Sequence, residues 1–230
     1  MKFNIISIFP NMLKAALSEG IVGTSEKIEV GVTDLREFTT DKHRSIDDRP
    51  FGGGDSMVMR PEVVREAILN AKEKLPNAKV IYLSPQGRKF NQNTARELSN
   101  LEEIILLSGR YNGVDQRVLN SYVDEEISIG DYVLSGGELA ALVVIDAVGR
   151  LIPGVLGNQE SSEVDSFSNG ILEAPLYTRP RIFENQMAPE VLFSGDHKKI
   201  EEFQKWAGFV ATYLKRPDLL ENKNLNELGI

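Results

Sequence analysis

The sequence reads as an α/β domain built on a largely parallel sheet, followed by a small α-helical C-terminal domain. Three observations predict this. Short apolar runs alternate with segments of helical period from Lys2 to Arg150, the pattern of successive strand–helix–strand units. From Gly157 to Ser168 the sequence turns polar and loses any hydrophobic period, as a linker does. After Pro175 the strand signals vanish and helical spacing takes over. The boundaries read as 1–156, an interdomain linker 157–169, and 170–230.

The elements follow in order. Phe3–Phe9 is apolar and β-branched and stops at Pro10, a buried strand. Asn11–Glu19 is a short amphipathic helix with Gly20 as its stop. Ile28–Asp34 alternates apolar and polar residues, as a strand does. Arg36–Met59 carries charges and three consecutive glycines without any period, and so long a loop in a compact domain is often functional. Pro61 opens a helix at the position where its missing N–H costs nothing, with Val64, Ile68, Leu69 and Leu75 on one side. Lys79–Leu83 reads as strand, Asn91–Leu98 as helix, Glu103–Leu107 as strand, Val114–Ser121 as helix, Tyr122–Ile129 as a short strand and Gly136–Arg150 as an apolar helix. Beyond the linker, Pro189–Phe193 and Lys198–Leu214 read as helical, the latter with Ile200, Phe203, Trp206, Phe209, Val210 and Leu214 as its core face.

Composition excludes several chemistries. The 230 residues contain no cysteine and only two histidines, His43 and His197, so disulfides, thiolate catalysis, Cys-type zinc sites and multi-histidine metal sites are out. Met1–Ile6 has no signal-peptide layout, and the run Leu139–Ile145 is far short of the ~20 apolar residues a membrane helix needs. A soluble, cytoplasmic protein without membrane contact is expected. The net charge of −8 speaks against a wholly basic nucleic-acid binder, yet the acidity is local. Residues 101–170 hold 3 basic and 12 acidic side chains, while residues 61–100 hold 7 basic and 4 acidic. Any RNA surface is therefore a patch, for which Arg44, Arg49, Arg179, Lys198 and Lys199 are the candidates.

There is no G-x-G-x-x-G after the first strand, no phosphate-binding P-loop and no G-x-S-x-G elbow. What stands out is three glycine-bearing loops at successive strand ends: Tyr82–Gly87, Ser108–Gly113 and Ser128–Glu138. Ligands of open α/β sheets bind outside the carboxyl ends of strands, and glycines let a backbone approach them closely. Three such loops together suit a pocket for a flat heterocycle such as adenine as well as they suit plain turns; each alone reads first as a tight turn. In His43–Asp55, two arginines and a triple glycine suit a loop that closes on a phosphate-bearing ligand, or a solvated one. Arg150 suits the helix dipole, and Asp165 reads as a solvated linker carboxylate.

Read together, these segments closely resemble the bacterial tRNA (guanine-N1)-methyltransferases, the TrmD family. The resemblance lies in HRSIDDRPFGGGDSMVM from His43, YLSPQG from Tyr82, SGRYNGVDQRV from Ser108, SIGDYVLSGGE from Ser128, DAVGRLIPGVLGN from Asp146, DSF at Asp165 and YTRP at Tyr177. It implies transfer of a methyl group from S-adenosyl-L-methionine to the 1-nitrogen of guanosine at tRNA position 37, beside the anticodon. It also implies a SPOUT-type parallel sheet with a deep trefoil knot, a homodimer with active sites at the subunit interface, and a helical C-terminal domain that grips the tRNA. By position, the donor pocket is Tyr82, Leu83, Pro85, Gly109, Tyr111, Ile129, Gly130, Asp131, Tyr132, Val133, Leu134, Gly136 and Gly137. Asp165 falls on the family's general base and Arg150 on its arginine, which stabilises charge on the guanine carbonyl oxygen. The chain departs from the family's pattern at Asn112, where glutamate is usual, and at Gln116, Ile127, Phe203 and Gln204. Asn112 removes a carboxylate associated with magnesium, so the resemblance does not carry a magnesium requirement over. Three other readings stay open: a SPOUT methyltransferase for another RNA position, a non-catalytic RNA binder, and a nucleotide-binding regulator.

Overall fold

The computed structural model describes residues 1–157 and 165–221. The chain divides into two compact units, Met1–Gly157 and Asn158–Ile230. Positions 158–164 of the expected linker lie outside the described residues.

The first unit is a five-stranded parallel sheet between two helical layers. Its strands are β1 (Lys2–Ser7), β2 (Glu29–Asp34), β5 (Lys79–Lys89), β6 (Glu103–Ser108) and β7 (Glu125–Ser128), in the order β2-β1-β6-β5-β7. Because side chains alternate across a strand, each strand feeds two cores. Ile6, Val80, Tyr82, Ile105 and Leu107 face one; Phe3, Ile5, Ile81, Leu83, Ile104 and Leu106 face the other. The first core is closed by Val63, Val64, Ala67, Ile68 and Ala71 of α3 (Pro61–Lys74) and by Val118 and Leu119 of α5 (Gln116–Tyr122). The second is closed by Leu13 of α1 (Pro10–Ala16), Val22 of α2 (Gly20–Thr24), Ala95 and Leu98 of α4 (Gln92–Ser99), and Ala140, Ala141, Val144, Ile145 and Val148 of α6 (Glu138–Gly149). Strands covered on both faces explain their near-continuous hydrophobicity. Three helix starts are marked as their sequences suggest. Pro61 opens α3, the Asn91 Oδ1 accepts from the Thr94 N–H at 3.0 Å, and Asp115 accepts from the Arg117 N–H at 2.9 Å.

The structure differs from the sequence reading in several places. The first helix, expected over Asn11–Glu19 with Gly20 as its stop, ends at Ala16 with Leu17 as its cap, and Gly20, at φ +80°, opens the short α2. The stretch 36–59 is not wholly irregular. A 3-10 turn spans Leu35–Phe38, and β3 (Asp47–Asp48) pairs antiparallel with β4 (Val58–Met59). The strand expected to end at Leu83 runs to Lys89, with its pairing to β7 broken between Leu83 and Arg88. There the chain passes so near β7 that a Cβ on Gly87 would overlap the main chain of Glu126 and Ile127. Across this break Glu125 accepts from Lys79 Nζ at 2.7 Å and from Arg88 Nε at 2.9 Å, and Arg88 also donates to Glu97 at 2.8 Å. Burial alone would raise the Glu125 pKa, but the two cations outweigh it and hold it below the usual carboxylate range.

In the second unit the long helix α7 (His197–Lys215) starts at Asp196, whose side chain accepts from the Lys199 N–H at 3.3 Å. A 3-10 turn occupies Glu190–Phe193. The expected absence of strands is corrected: β8 (Ile182–Phe183) and β9 (Gln186–Met187) form a hairpin. The expected core face of α7 is corrected as well. Ala207, Gly208, Ala211 and Thr212 are the buried positions, whereas Trp206 is 58% and Leu214 72% exposed. Small residues let a neighbouring segment lie close. A Cβ on Gly208 would stand 2.8 Å from the Leu172 carbonyl oxygen, and buried Thr212 accepts the Leu172 N–H at 2.9 Å.

Candidate active site: a cavity at the carboxyl ends of β5, β6 and β7

The middle of β5, where its pairing to β7 breaks, and the ends of β6 and β7 open onto a cavity of about 430 Å³. Its walls are the segments Tyr82–Gln86, Gly109–Val114 and Glu126–Gly130 with Tyr132–Gly137, closed below by Ala140 of α6 and by Gln116 and Leu119 of α5. Of the donor residues expected from sequence, Tyr82, Leu83, Pro85, Gly109, Tyr111, Ile129, Gly130, Tyr132, Val133, Leu134, Gly136 and Gly137 all line it. Asp131 does not line it. Its carboxylate is 91% exposed and lies 3.6 Å from Lys89 Nζ. Flanked by two lining residues, it takes the opposite side of the loop.

The loops are held to one another by main-chain and side-chain bonds. The Gly137 N–H donates to the Gly109 carbonyl at 3.0 Å, joining the start of α6 to the end of β6. Arg110 donates to the Ser135 carbonyl, and its guanidinium stands 4.5 Å from the centre of the Phe9 ring. Arg36 stacks on the same ring at 5.8 Å. Beneath this strut, buried Glu138 in the first turn of α6 accepts from the Ser7 hydroxyl at 2.7 Å, where a helix N-terminus favours a carboxylate. Gly109 is required by Tyr82: a Cβ there would lie 2.7 Å from its phenolic oxygen.

The electrostatics of the walls are set by two tyrosines. Burial, and then the Glu126 carboxylate, raise the Tyr82 pKa, so the phenol stays protonated and able to donate. Tyr111 is also raised, by desolvation and then by the neighbouring Asp47, against the pull of Arg36 and Arg110. Tyr111 adopts a left-handed backbone, φ +56°, of a kind that non-glycine residues keep when surrounding contacts impose it. Those contacts are the Asn112 N–H to the Met57 carbonyl at 3.0 Å and the Gly113 N–H to the Arg110 carbonyl at 3.0 Å. Ser108 adds a buried hydroxyl without a hydrogen-bond partner among the described residues, under the same wall.

The remaining expected residues fall as follows. Arg150 is the exposed C-terminal cap of α6 in the first unit, its N–H donating to the Asp146 carbonyl at 3.1 Å. Asp165 belongs to the second unit, where it is half-buried, accepts the Ser168 N–H through its carbonyl at 3.0 Å, and lines a cavity of about 420 Å³ with Ile171, Leu172 and Lys205. Arg44, Arg49 and Arg179 are exposed. Lys198 lies 4.0 Å from Glu202, and Lys199 lies 3.3 Å from Asp196. Sequence reasoning passed over Arg110 and Glu126, which shape the cavity; their position beside glycine loops was the available signal. Among the described residues no group of three or more His, Cys, Asp or Glu is placed to hold a metal ion, and no helix is long and apolar enough to cross a membrane.

A parallel α/β unit with a glycine-walled cavity over adjacent strands has the architecture in which small-molecule sites are commonly built. The chain belongs to the family described as tRNA (Guanine-1)-methyltransferase TrmD, which it matches over residues 1–222. It is 48% identical over 230 residues to a tRNA (guanine-N(1)-)-methyltransferase of Marinomonas sp. (strain MWYL1), covering 99% of this chain and 92% of that protein. It is likewise 48% identical over 227 residues to the enzyme of the same name from Pseudoalteromonas translucida (strain TAC 125), covering 97% of this chain and 89% of that one. A third of that name, from Photorhabdus laumondii subsp. laumondii, is 48% identical over 231 residues, 99% of this chain and 92% of its own.

Proposed function

We propose that this protein is a methyltransferase that moves a methyl group from S-adenosyl-L-methionine to the 1-nitrogen of guanosine 37 in tRNA. The observation that carries the reading is the convergence of twelve of the thirteen expected donor residues on one cavity, in a chain of this family. The residues suit the donor. The volume of about 430 Å³ falls in the range of small-molecule sites. Glycines at 109, 136 and 137 let Tyr82, Arg110 and the Ser108 main chain pack closely at the cavity's edge, where a Cβ would overlap them. The donor supplies a methyl group already activated on a sulfonium, so no covalent enzyme intermediate is required.

The protein's own task is to manage the proton and charge of guanine. Its 1-nitrogen carries a proton and is a poor nucleophile at neutral pH. Asp165 accepts that proton as general base. Arg150 stabilises the negative charge that develops on the neighbouring carbonyl oxygen. Neutral Tyr82 offers a hydrogen-bond donor in the cavity wall. Magnesium has no assigned role, since Asn112 stands where the family usually has a carboxylate.

The wider reading follows the family. The division at 1–156, 157–169 and 170–230 serves a catalytic domain, a linker and a tRNA-gripping domain. Arg44, Arg49, Arg179, Lys198 and Lys199 contact phosphates. The pass of Gly87 against β7 fits a trefoil-knotted chain. The exposed Leu139 and Val143 on α6, opposite its buried face, fit a homodimer. The protein works in the cytoplasm. The decisive experiment is transfer of labelled methyl to tRNA transcripts with guanosine or another base at position 37. Only the guanosine transcript accepts the label; equal labelling of both rejects the reading. Asp165→Asn lowers turnover by about 10²–10⁴-fold with donor affinity unchanged, and near-normal turnover removes Asp165 as the base.

A further inference from the structure

The hairpin β3–β4 carries the most exposed large apolar side chain described in the protein: Phe51 is 98% exposed. Its loop is not a slack insertion. The stem pairs Asp47 with Met59 and Asp48 with Val58. Met59 and Ile46 are buried in the core. The stem is also bonded to a wall of the cavity: the Asn112 N–H donates to the Met57 carbonyl at 3.0 Å, and the Met59 N–H donates to the Gly113 carbonyl at 2.9 Å. Asp47 stands beside Tyr111, another lining residue. A fixed base therefore ends in a tip that carries a bare aromatic ring.

The residues after Phe51 keep that ring unburied. Gly52, Gly53 and Gly54 have φ of +91°, +84° and +107°, conformations that L side chains rarely adopt, and no atom lies within 4 Å of where a Cβ would stand on Gly52 or Gly53. The exposed cation of Arg49 precedes the ring by two residues. An aromatic ring on a glycine hinge beside a cation is suited to a flat, anionic polymer: every nucleobase offers a π-face, and stacking tolerates any sequence. The proposed reaction requires such a device. The guanine 1-nitrogen lies on the pairing edge, and an enzyme that works on a base draws it out of its stack. The next base in the strand is left with an uncovered face.

We propose that Phe51 stacks on the nucleobase next to the target guanine, replacing the stacking that the target gives up. The proposal rests on the tRNA methyltransferase reading above. It makes Phe51 a substrate-positioning residue that acts on RNA and not on the donor. Phe51→Ala is expected to raise KM for tRNA about 5- to 150-fold, with kcat at saturating tRNA and donor affinity unchanged. Phe51→Trp restores KM, and Phe51→Leu, apolar but not aromatic, does not. The chain has a single tryptophan, Trp206, so a Trp206→Phe/Phe51→Trp double variant reports the site by fluorescence. Titration with an anticodon stem-loop RNA should quench its emission. An unchanged KM in Phe51→Ala, full rescue by leucine, or unchanged emission from RNA-bound double variant overturns the stacking role while wild-type transfer keeps the enzyme reading intact. Failure of the wild-type protein to label any tRNA overturns both.

Discussion

Gly137→Ala tests the joint between β6 and α6 on which the cavity depends. An alanine Cβ there would lie 2.7 Å from Ser108 Cα and 3.1 Å from the Gly109 nitrogen, whereas carbon atoms rest at about 3.5–4.0 Å. The obstacle is main chain at the end of a buried strand, so no rotamer change relieves it. The start of α6 must move away by roughly 1 Å, which strains the 3.0 Å bond from the Gly137 N–H to the Gly109 carbonyl. Overpacking costs about 1–3 kcal/mol, and loss of the bond adds about 1 kcal/mol. A total of about 2–4 kcal/mol lowers the thermal midpoint by roughly 4–16 °C in a chain of this size. The same shift displaces two lining glycines, so affinity for the proposed donor, S-adenosyl-L-methionine, measured by calorimetry should fall at least about tenfold, or 1.4 kcal/mol. Gly157→Ala is the control: nothing lies within 4 Å of its Cβ position, and its effect should stay within about 0.5 kcal/mol. If Gly137→Ala matches that control in both stability and donor affinity, the close joint does not build the site.

Two further outcomes follow from the fold. Glu125 has a lowered pKa in the folded state, so its contribution is present above the unfolded value of ~4.3 and is lost as pH falls through the folded value. Urea midpoints from pH 7 to pH 3 should therefore fall less steeply in Glu125→Gln than in wild type, with a loss on the order of 1 kcal/mol near neutrality. An identical acid limb would detach Glu125 from the Lys79–Arg88 cluster. In the second unit, Thr212→Val leaves the Leu172 N–H, now bonded to the threonine hydroxyl at 2.9 Å, without its acceptor. A loss of about 1–3 kcal/mol is expected, visible as faster hydrogen exchange at Leu172; unchanged protection there would refute it.

What could be read from the sequence was what repeats. The strands of the first unit announce themselves because both faces are buried, so Ile5–Ile6 of β1 and Ile104–Leu107 of β6 are consecutive apolar residues. The segments that line the cavity were legible because YLSPQG, GRYNG and SIGDYVLSGGE each carry glycine inside or just after a strand of the sheet. What escaped depends on closeness, which has no hydrophobic signature. Ser84–Gly87 carries a proline and polar residues and reads as a turn, yet β5 continues through it because Gly87 fits against β7. On α7 the large residues Trp206 and Leu214 suggested the core, but the packed face is made of Ala207, Gly208, Ala211 and Thr212. The β8–β9 hairpin turns on Glu184 and Asn185, both with positive φ, without the Asn-Gly pair that marks such turns. Asp131 shows that a motif locates a loop but not the side each residue faces.

The order β2-β1-β6-β5-β7 also sets a schedule for synthesis. A ribosome releases β1 and β2 first, but the other edge of β1 has no neighbour until Glu103–Ser108 emerges. For the roughly seventy intervening residues, several seconds at ~5–20 residues per second, the nascent chain carries an open, apolar strand edge of the kind that invites wrong pairing. No ligand of the cavity can shelter it, because the third wall ends only at Gly137. Production of this protein in a cell should therefore depend on chaperone capacity more than its finished stability would suggest.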